Sequence, residues 1–260
     1  MNFMQTVRKI MKVISKIAYF ICAKLVNFCP SFFLKCLSEN NFDYLVLNLN
    51  KPHLFNWQDI NIPNKINGFE DLTFLFWASP LNRGILRQDF DEAALLFRTV
   101  NNMSNPIGVE IGRFNGGSTI LIAAAVGSKG KLISIDIEPQ DDLVLQDIIN
   151  KLGMKDRVDL ITGNSNEIIL HDNYDFVFID GDHSYEGAKR DHNKLGALVK
   201  VGGFIIHHDM GKERRYSTQW DELFRLKSDI LLNQQKELRF FSEAGSITVF
   251  QRISFGWKKI

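Results

Sequence analysis

Hydrophobic and polar positions alternate in two periods from about residue 90 to the end of the chain. Short runs rich in Ile, Val and Phe predict β-strands, and stretches with apolar residues every three or four positions predict helices between them. The predicted strands are 107–111, 132–137, 158–162, 176–179 and 204–207. The predicted helices are 93–100, 118–126, 143–152, 165–170, 185–198 and 218–231. This alternation predicts βαβ units, and therefore an α/β domain with a doubly wound, mostly parallel sheet.

The pattern changes near the end of the chain. Two strand-like runs, 238–243 and 246–252, are separated only by Ala244-Gly245. So short a connection is typical of an antiparallel hairpin. We therefore predict that the mostly parallel sheet is closed at one edge by a terminal antiparallel hairpin.

The first 40 residues predict a basic amphipathic helix. Arg8, Lys12 and Lys16 form a stripe at spacings of four. Apolar residues recur at spacings of three and four beside this stripe: Phe3, Val7, Ile10, Ile14, Ile17, Ile21, Leu25 and Phe28. Two alternatives stay open, peripheral membrane contact through residues 1–37 or docking on the chain's own domain or on a second subunit. The longest apolar run, 17–23, is far shorter than the ~20 residues that span a bilayer.

The region 41–88 shows no sustained period and is rich in Asn, aromatic residues and Pro. We interpret it as a cap or lid beside the main domain. The predicted organisation is therefore a basic helical segment (1–40), a cap or lid (41–88) and an α/β domain (89–260).

The N-terminal segment also differs from the rest of the chain in net charge and cysteine content. The whole chain carries +1, but the first 38 residues carry six basic groups and no acidic one, which leaves 25 basic against 30 acidic groups in the remainder. A mildly acidic main domain argues against a nucleic-acid substrate. Cys22, Cys29 and Cys36 all lie in the basic segment, so no disulfide framework is predicted for the domain and a cytoplasmic location is favoured.

A glycine-rich turn follows the first predicted strand. The strand ends in Glu110-Ile111, and the turn Gly112-Arg113-Phe114-Asn115-Gly116-Gly117-Ser118 leads into an apolar helix. Such a turn lets a ligand approach the backbone amides at a helix N-terminus. Neither the G-x-G-x-x-G pattern nor a Walker A ending is present. Glu110 would repel phosphates and attract a cationic ligand.

Two further polar positions follow the next two strands. Asp136 ends the second strand, about 20 residues beyond the glycines, where a carboxylate can bind the ribose hydroxyls of a nucleoside. Asn164 and Ser165 end the third strand, where polar groups can meet a base edge. A glycine turn, an acid beside it and a ribose-binding acid predict a positively charged adenosine ligand, S-adenosylmethionine. An ordinary strand–helix turn with a solvated aspartate explains each feature singly, but not all three in order.

With two later motifs the chain resembles a known family. The motifs are Phe178-Ile179-Asp180-Gly181-Asp182-His183-Ser184-Tyr185-Glu186 and Gly202-Gly203-Phe204-Ile205-Ile206-His207-His208-Asp209. From about residue 90 to 252 the chain is similar to the class I S-adenosylmethionine-dependent methyltransferases, in the group with macrocin-type O-methyltransferases and cephalosporin-hydroxylase-like proteins. The resemblance implies a Rossmann-like fold and S-adenosylmethionine as cofactor. The implied cofactor-binding residues are Glu110, Gly112, Arg113, Asn115, Gly116, Gly117, Ser118, Asp136, Asn164, Ser165 and Asp180.

The resemblance also implies a metal site and a general base. Asp180 and Asp209 fall on the ligand positions of metal-dependent relatives, and His208 stands where macrocin-type enzymes have an acid. The expected ion is Mg²⁺ or another divalent cation, with a histidine ligand favouring a transition metal. His183 is the predicted base, because an imidazole that titrates near neutrality can take a proton from an attacking hydroxyl.

These features predict transfer of a methyl group to a hydroxyl of a small molecule, a sugar or a secondary metabolite. Transfer to another atom, or a non-methyl reaction on the same fold, stays open because a fold does not fix a function. A different class stays open as well: a non-catalytic cofactor-binding or membrane-tethered partner protein. Homo-oligomerisation is compatible with each of these hypotheses.

Overall fold

The computed structural model describes residues 61–76, 85–140, 142–211 and 218–260. All of them belong to one compact unit of the chain. The predicted basic helix of residues 1–40 and most of the predicted cap lie outside the described residues, so both stay predictions. None of the helices in the described part of the chain is long and apolar enough to cross a membrane.

The described elements alternate between helices and strands. The helices are α1 (Phe90–Asn101), α2 (Gly117–Ala125), α3 (Asp142–Lys151), α4 (Tyr185–Leu198) and α5 (Thr218–Asn233). The strands are β1 (Ile107–Ile111), β2 (Lys131–Asp136), β3 (Val158–Thr162), β4 (Tyr174–Ile179), β5 (Val199–His207), β6 (Leu238–Ala244) and β7 (Ile247–Arg252). Two 3₁₀ helices, Phe69–Phe76 and Lys155–Arg157, complete the set.

The strands form one seven-stranded sheet in the order β3-β2-β1-β4-β5-β7-β6. The five strands β1 to β5 pair in parallel, and β7 pairs antiparallel with both β5 and β6. The predicted doubly wound sheet with a terminal antiparallel hairpin is therefore confirmed. Because β1 and β4 are central neighbours, the turns that follow them meet at the carboxyl edge of the sheet, where ligands bind in open α/β folds.

One predicted helix is wrong. Residues 165–170 form a turn, in which the backbone N–H groups of Glu167 and Ile168 both donate to the carbonyl oxygen of Asn164. The side chain of Asn164 also accepts the N–H of Asn166 at 3.0 Å. This hydrogen bond to the Asn164 side chain competes with the backbone bonds of a helix. Since so short a helix would gain few backbone bonds for the cost of its first turn, the helix does not form.

The fifth strand is longer than predicted. It starts at Val199 rather than at residue 204. Its sequence contains Gly202-Gly203, a pair that is more typical of a turn. A Cβ atom added at Gly203 would lie 2.6 Å from the carbonyl oxygen of Asp175, so only glycine allows this close approach to β4. Pairing between Tyr174 and Val199 was not visible in the sequence.

The described part of the predicted cap packs on the α/β domain. Leu72, Leu75, Ile85 and Leu86 are buried, and the N–H of Leu86 donates to the carbonyl oxygen of Leu75 at 3.2 Å. A Cβ atom at Gly117 would lie 2.6 Å from the carbonyl oxygen of Ile85. This segment therefore covers the start of α2.

A buried chain of hydrogen bonds joins α4, β5 and α5. His192 Nε2 lies 2.7 Å from Oε1 of Gln234, and His192 Nδ1 lies 3.0 Å from Nε2 of His207. Since an amide oxygen only accepts, His192 carries its proton on Nε2 and accepts from His207 on Nδ1. Burial lowers the pKa of His192 to about 4, although the bond to Gln234 opposes that effect.

The buried His192 predicts that the free energy of unfolding falls as the solution is acidified. The unfolded chain takes up a proton on His192 near pH 6.5, whereas the folded chain does so only near pH 4, so stability rises with pH between these values. At 1.36 kcal/mol per pH unit, we expect His192 to contribute a loss of about 2 kcal/mol in the free energy of unfolding between pH 6.5 and 5. Urea unfolding at the two pH values measures this loss.

The matched variants are His192→Gln and, as control, His171→Ala. Glutamine keeps a neutral hydrogen-bonding side chain at residue 192, so its unfolding free energy should fall less on acidification. His171 is exposed, and its replacement should leave the wild-type pH dependence unchanged. The same acid-induced loss in wild type and His192→Gln would contradict the assignment.

Candidate functional site

The turn after β1 requires glycine at two positions. Gly112 and Gly116 have φ values of 86° and 81°, in the left-handed region that favours glycine. A Cβ atom at Gly112 would lie 2.0 Å from the carbonyl oxygen of Asp180, and one at Gly116 would lie 2.4 Å from the side chain of Leu145. Phe114, between them, adopts φ 48° without being glycine. The turn is therefore a constrained segment in direct contact with the residue that follows β4.

The carboxylate of Asp136 accepts hydrogen bonds from the backbone of this turn. Its Oδ2 accepts the N–H groups of Arg113 and Phe114 at 2.8 and 2.9 Å, and its Oδ1 accepts the N–H of Glu138 at 2.8 Å. The half-buried carboxylate thus lies beside the glycine turn, as the sequence predicts. Asn115 is half-buried within the same turn.

The side chain of Arg113 lies inside the protein rather than at the edge of the turn. It is 2% exposed, forms an ion pair with Asp142 at 2.5 Å, and donates from Nη1 to the carbonyl oxygens of Ser134 and Ile161. The guanidinium of Arg113 therefore does not face a ligand, and its backbone N–H and carbonyl groups are bonded to Asp136 and Gly116. Its guanidinium instead ties β2 and β3 to the start of α3.

Glu110 is also placed beneath the turn. It is fully buried, and its carboxylate accepts hydrogen bonds from the hydroxyls of Ser118, Thr119 and Ser134 at 2.5–2.6 Å. Burial raises the pKa of Glu110, although these hydroxyls oppose the shift. Glu110 and Ser118 thus fix the turn from below, and the geometry does not support direct contact of either side chain with a ligand.

The two residues predicted at the end of β3 have different environments. Ser165 is 8% exposed, and its hydroxyl donates to Asp191 of α4 at 2.7 Å. Asn164 is half-buried and uses its side-chain oxygen to close the turn described above. The side chain of Ser165 therefore attaches the loop to α4, and Asn164 is the member of this pair nearer the surface.

Three side chains converge at the carboxyl ends of β4 and β5. His183 Nε2 lies 3.5 Å from Asp180 Oδ1 and 3.3 Å from Asp209 Oδ2. Within the described ranges, these three residues form a group whose candidate metal-ligand atoms all lie within 4.8 Å of one another. Asp209 is 4% exposed and adopts φ 58°, a strained conformation of the kind found at functional sites.

The two aspartates hold a proton on His183. Burial alone would lower the pKa of His183, but the hydrogen bonds and charges of Asp180 and Asp209 raise it to about 9. A ring protonated on both nitrogens cannot accept a proton. The predicted base role of His183 therefore stays a prediction.

His208 lies between three carboxylates. Its Nδ1 is 3.0 Å from Asp180 Oδ1 and 3.3 Å from Asp209 Oδ2, and its Nε2 is 3.5 Å from Glu92 Oε2. Burial would lower its pKa, but the negative charge of Asp180 and the hydrogen bonds raise it well above the usual value. His208 thus neutralises charge and is not a member of the three-residue group. The predicted role of His208 as a metal ligand stays a prediction.

Glu92 is a site residue that sequence reasoning missed. It is fully buried in α1, and its Oε1 accepts the N–H and the hydroxyl of Ser246, both at 2.6 Å. Burial would raise its pKa, but His208 and Ser246 lower it to about 2. The only sequence signal is the spacing Asp89-x-x-Glu92, a capping box at the start of α1, which does not reveal a partner 116 positions later.

A second missed feature is Ile137, which directly follows Asp136. Its side chain is 70% exposed, although it is apolar and lies at the carboxyl edge of the sheet. The sequence analysis counted this residue as the end of a strand. An exposed apolar surface beside the predicted ribose acid offers a face on which a flat base can pack.

Solved structures that are similar to this chain include methyltransferases. The chain superposes on an O-methyltransferase from Bacillus cereus in complex with S-adenosylhomocysteine with TM-score 0.50 and 18% identity, covering 64% of this chain and 82% of that one. An S-adenosylhomocysteine-bound methyltransferase from Podospora anserina gives TM-score 0.52 and 15% identity, covering 70% and 82%. Residues 109–210 match the family described as "Methyltransferase domain". Over these residues the chain is similar to S-adenosylmethionine-dependent methyltransferases.

Curated proteins that are similar to this chain include plant enzymes. Caffeoyl-CoA O-methyltransferase 2 of Petunia hybrida is 28% identical over 129 residues, which is 46% of this chain and 52% of that protein. Caffeoyl-CoA O-methyltransferase of Medicago sativa is 30% identical over 129 residues, 46% and 51% of the two chains. The aligned part of this chain thus spans about half the length of these relatives. The predictions of family and fold are confirmed.

Proposed function

We propose that this protein is an S-adenosylmethionine-dependent O-methyltransferase that acts on a small hydroxylated molecule. The observation that carries the proposal is the contact between the two halves of the site. Gly112, in the turn expected to bind the cofactor, packs directly on the backbone carbonyl of Asp180, which belongs to the acid–imidazole cluster. A methyl donor on the turn would thus lie next to groups that can activate a hydroxyl.

The cofactor roles follow from the geometry of the turn. The amide groups at the start of α2 and the glycines leave room for the methionine part of the cofactor. In this proposal Asp136 binds the ribose hydroxyls, and Ile137 and Asn164 contact the adenine. Arg113, Ser118, Ser165 and Glu110 support this surface through the contacts described above rather than by touching the ligand with their side chains.

Methyl transfer changes three bonds. The acceptor oxygen forms a bond to the methyl carbon, the bond from that carbon to the sulfonium sulfur breaks, and the acceptor O–H bond breaks. The sulfonium becomes the neutral sulfide of S-adenosylhomocysteine, and the proton of the acceptor hydroxyl passes to a carboxylate of the cluster, Asp180 or Asp209, and from there to solvent. The exposed side of His183, at 37%, is where an acceptor can reach this cluster.

The donor set of the cluster fits a divalent cation. Two carboxylates and an imidazole converge within 4.8 Å, and Asp209 is held there in a strained conformation. A bound cation would lower the pKa of an acceptor hydroxyl and so supply part of its activation. Asp180 and Asp209 would hold the ion, while His208 and Glu92 fix the orientation of Asp180 and Asp209 from behind.

The acceptor class rests on the relatives. They are named caffeoyl-CoA O-methyltransferases, and the solved neighbour from Bacillus cereus is named an O-methyltransferase. We therefore propose a small-molecule acceptor with a hydroxyl group, such as a sugar or a phenolic secondary metabolite. An assay for S-adenosylhomocysteine release with panels of phenols, sugars and hydroxy acids tests this proposal. Cofactor binding without release for any acceptor would favour the non-catalytic alternative.

The predicted role of Asp136 gives a binding test. We expect Asp136→Asn to weaken S-adenosylmethionine binding by at least about tenfold, because a charged acceptor of the ribose hydroxyls is replaced by a neutral one. Asparagine retains an oxygen for the N–H groups of Arg113 and Phe114, while the N–H of Glu138 loses its acceptor. Isothermal titration calorimetry with S-adenosylmethionine measures the change.

Asp147→Asn is the matched control for this test. Asp147 is exposed on α3, and the same loss of charge there should leave cofactor affinity unchanged. Equal affinities for wild type and Asp136→Asn would remove Asp136 from the cofactor site.

A further inference from the structure

The cluster contains one nitrogen that two different roles would use. His183 Nε2 faces both Asp180 Oδ1 and Asp209 Oδ2. A general base would take a proton on this atom, whereas a metal ligand would donate its lone pair through the same atom. When Nε2 binds a metal ion, it cannot also accept a proton. The two separations between His183 Nε2 and the aspartate oxygens are compatible with direct binding of an ion.

These separations match the edges of a tetrahedral metal site. Bonds of about 2.0–2.2 Å to nitrogen and oxygen in tetrahedral geometry place neighbouring ligand atoms about 3.3–3.6 Å apart. Octahedral Mg²⁺, with bonds of about 2.0–2.1 Å, requires about 2.8–3.0 Å between neighbouring ligands. The His183–aspartate separations are 3.3 and 3.5 Å, which fall in the tetrahedral range.

The loop that carries His183 is fixed at both ends. Its first residue, Asp180, donates its N–H to the carbonyl oxygen of Ile111 at 2.9 Å. At the other end, Ser184 caps α4 by accepting the N–H of Gly187 at 3.1 Å, and its own N–H donates to Asp182 Oδ1 at 2.8 Å. Only two residues therefore lie between Asp180 and His183, in a loop with few alternative paths. Such support of a ligand is typical of a preorganised site.

We propose that His183 binds a metal ion directly through Nε2, together with Asp180 and Asp209, and that this nitrogen shifts the site toward a transition-metal ion and away from Mg²⁺. This proposal rests on the proposed function, because both concern the same cluster. It adds the class of ion and a third ligand. Imidazole suits Zn²⁺ and related ions, whereas Mg²⁺ prefers oxygen ligands and retained waters. A residual water or the acceptor hydroxyl would complete the shell.

The experiment uses the full chain and titrates Zn²⁺ and Mg²⁺ separately by calorimetry. Because Zn²⁺ binds most nitrogen and oxygen sites more tightly than Mg²⁺, the informative quantity is the change caused by substitution. We expect one Zn²⁺ per chain, and a loss of at least about tenfold in Zn²⁺ affinity for His183→Ala. Mg²⁺ affinity should change by less than about threefold. His183→Asp should lower Zn²⁺ affinity but raise Mg²⁺ affinity, since it exchanges nitrogen for oxygen.

His171→Ala is the control for adventitious binding to an exposed histidine, and it should change neither affinity. The visible absorption of Co²⁺ added to the wild-type protein reports the geometry without any substitution, and a tetrahedral site gives the stronger absorption. Zn²⁺ affinity that is unchanged in His183→Ala, or octahedral Co²⁺ absorption, would overturn the proposal.

The same samples separate this inference from the proposed function. S-adenosylmethionine titrations and acceptor assays are run on the wild-type protein in parallel. Methyl transfer with Zn²⁺ binding that does not depend on His183 would overturn only the ligand assignment. Zn²⁺ binding that depends on His183, without methyl transfer, would overturn only the proposed function.

Discussion

Gly112→Ala is expected to cost more than about 3 kcal/mol in the free energy of unfolding and to reduce S-adenosylmethionine affinity by at least tenfold. An alanine at φ 86° meets a conformational penalty of about 1–2 kcal/mol. Its Cβ would also lie 2.0 Å from the carbonyl oxygen of Asp180, and relief of that overlap costs a further ~1–3 kcal/mol. Since backbone occupies the other side of the contact, the turn and the start of the loop after β4 must separate. Urea unfolding and cofactor calorimetry measure the two effects.

Gly127→Ala isolates the conformational part of this penalty. Gly127 also has a positive φ, 72°, but no atom lies within 4 Å of an added Cβ. We expect a loss of only about 1–2 kcal/mol and unchanged cofactor binding. Similar losses for both glycines would mean that the contact with Asp180 is not tight. A Gly112→Ala protein that does not accumulate in folded form is the extreme of the expected result.

Asp209→Asn is expected to lower the rate of methyl transfer by at least about a hundredfold and to leave cofactor affinity within about twofold. Asparagine tolerates the left-handed conformation that Asp209 adopts at φ 58°, so the backbone should be kept. The substitution removes one of the two charges opposite His183 and His208. A site that stabilises or accepts charge in the transition state typically contributes a factor of 10²–10⁴. Single-turnover release of S-adenosylhomocysteine measures the rate.

The control is Asp172→Asn, the same substitution at an exposed residue before β4. Its transfer rate and cofactor affinity should equal those of the wild type. A wild-type transfer rate in Asp209→Asn would exclude Asp209 from the chemistry. Loss of cofactor binding in Asp209→Asn would instead mean that its carboxylate supports the glycine turn.

Much of the fold was predictable because its periods are local. The strands β1 to β4 and the helix α4 lie within a few residues of their predicted bounds, since apolar runs and glycine turns mark them. The prediction failed at 165–170, where the side chain of Asn164 closes a turn. It also missed the start of β5, because the pairing that extends this strand over Gly202-Gly203 comes from β4.

The site was predictable as a set of positions but not as a set of roles. The sequence placed Gly112, Asp136, Asp180 and Asp209 at strand ends, and the parallel sheet brings them to one edge. It did not show that the charged groups of Glu110 and Arg113 turn inward, because both choices fit the same motif. It did not show Glu92 either, since its partners His208 and Ser246 are distant in sequence.

The sequence by itself determined the family, the order of strands and helices, and which residue types stand at the carboxyl ends of the strands. These depend on local periodicity and on glycines that the backbone requires. The tertiary structure decided which carboxylate faces which imidazole: His183 against Asp180 and Asp209, and His208 between them and Glu92. The physical reason is that charge interactions act through space at 3–4 Å and depend on burial, and neither quantity is written in the spacing of residues along the chain.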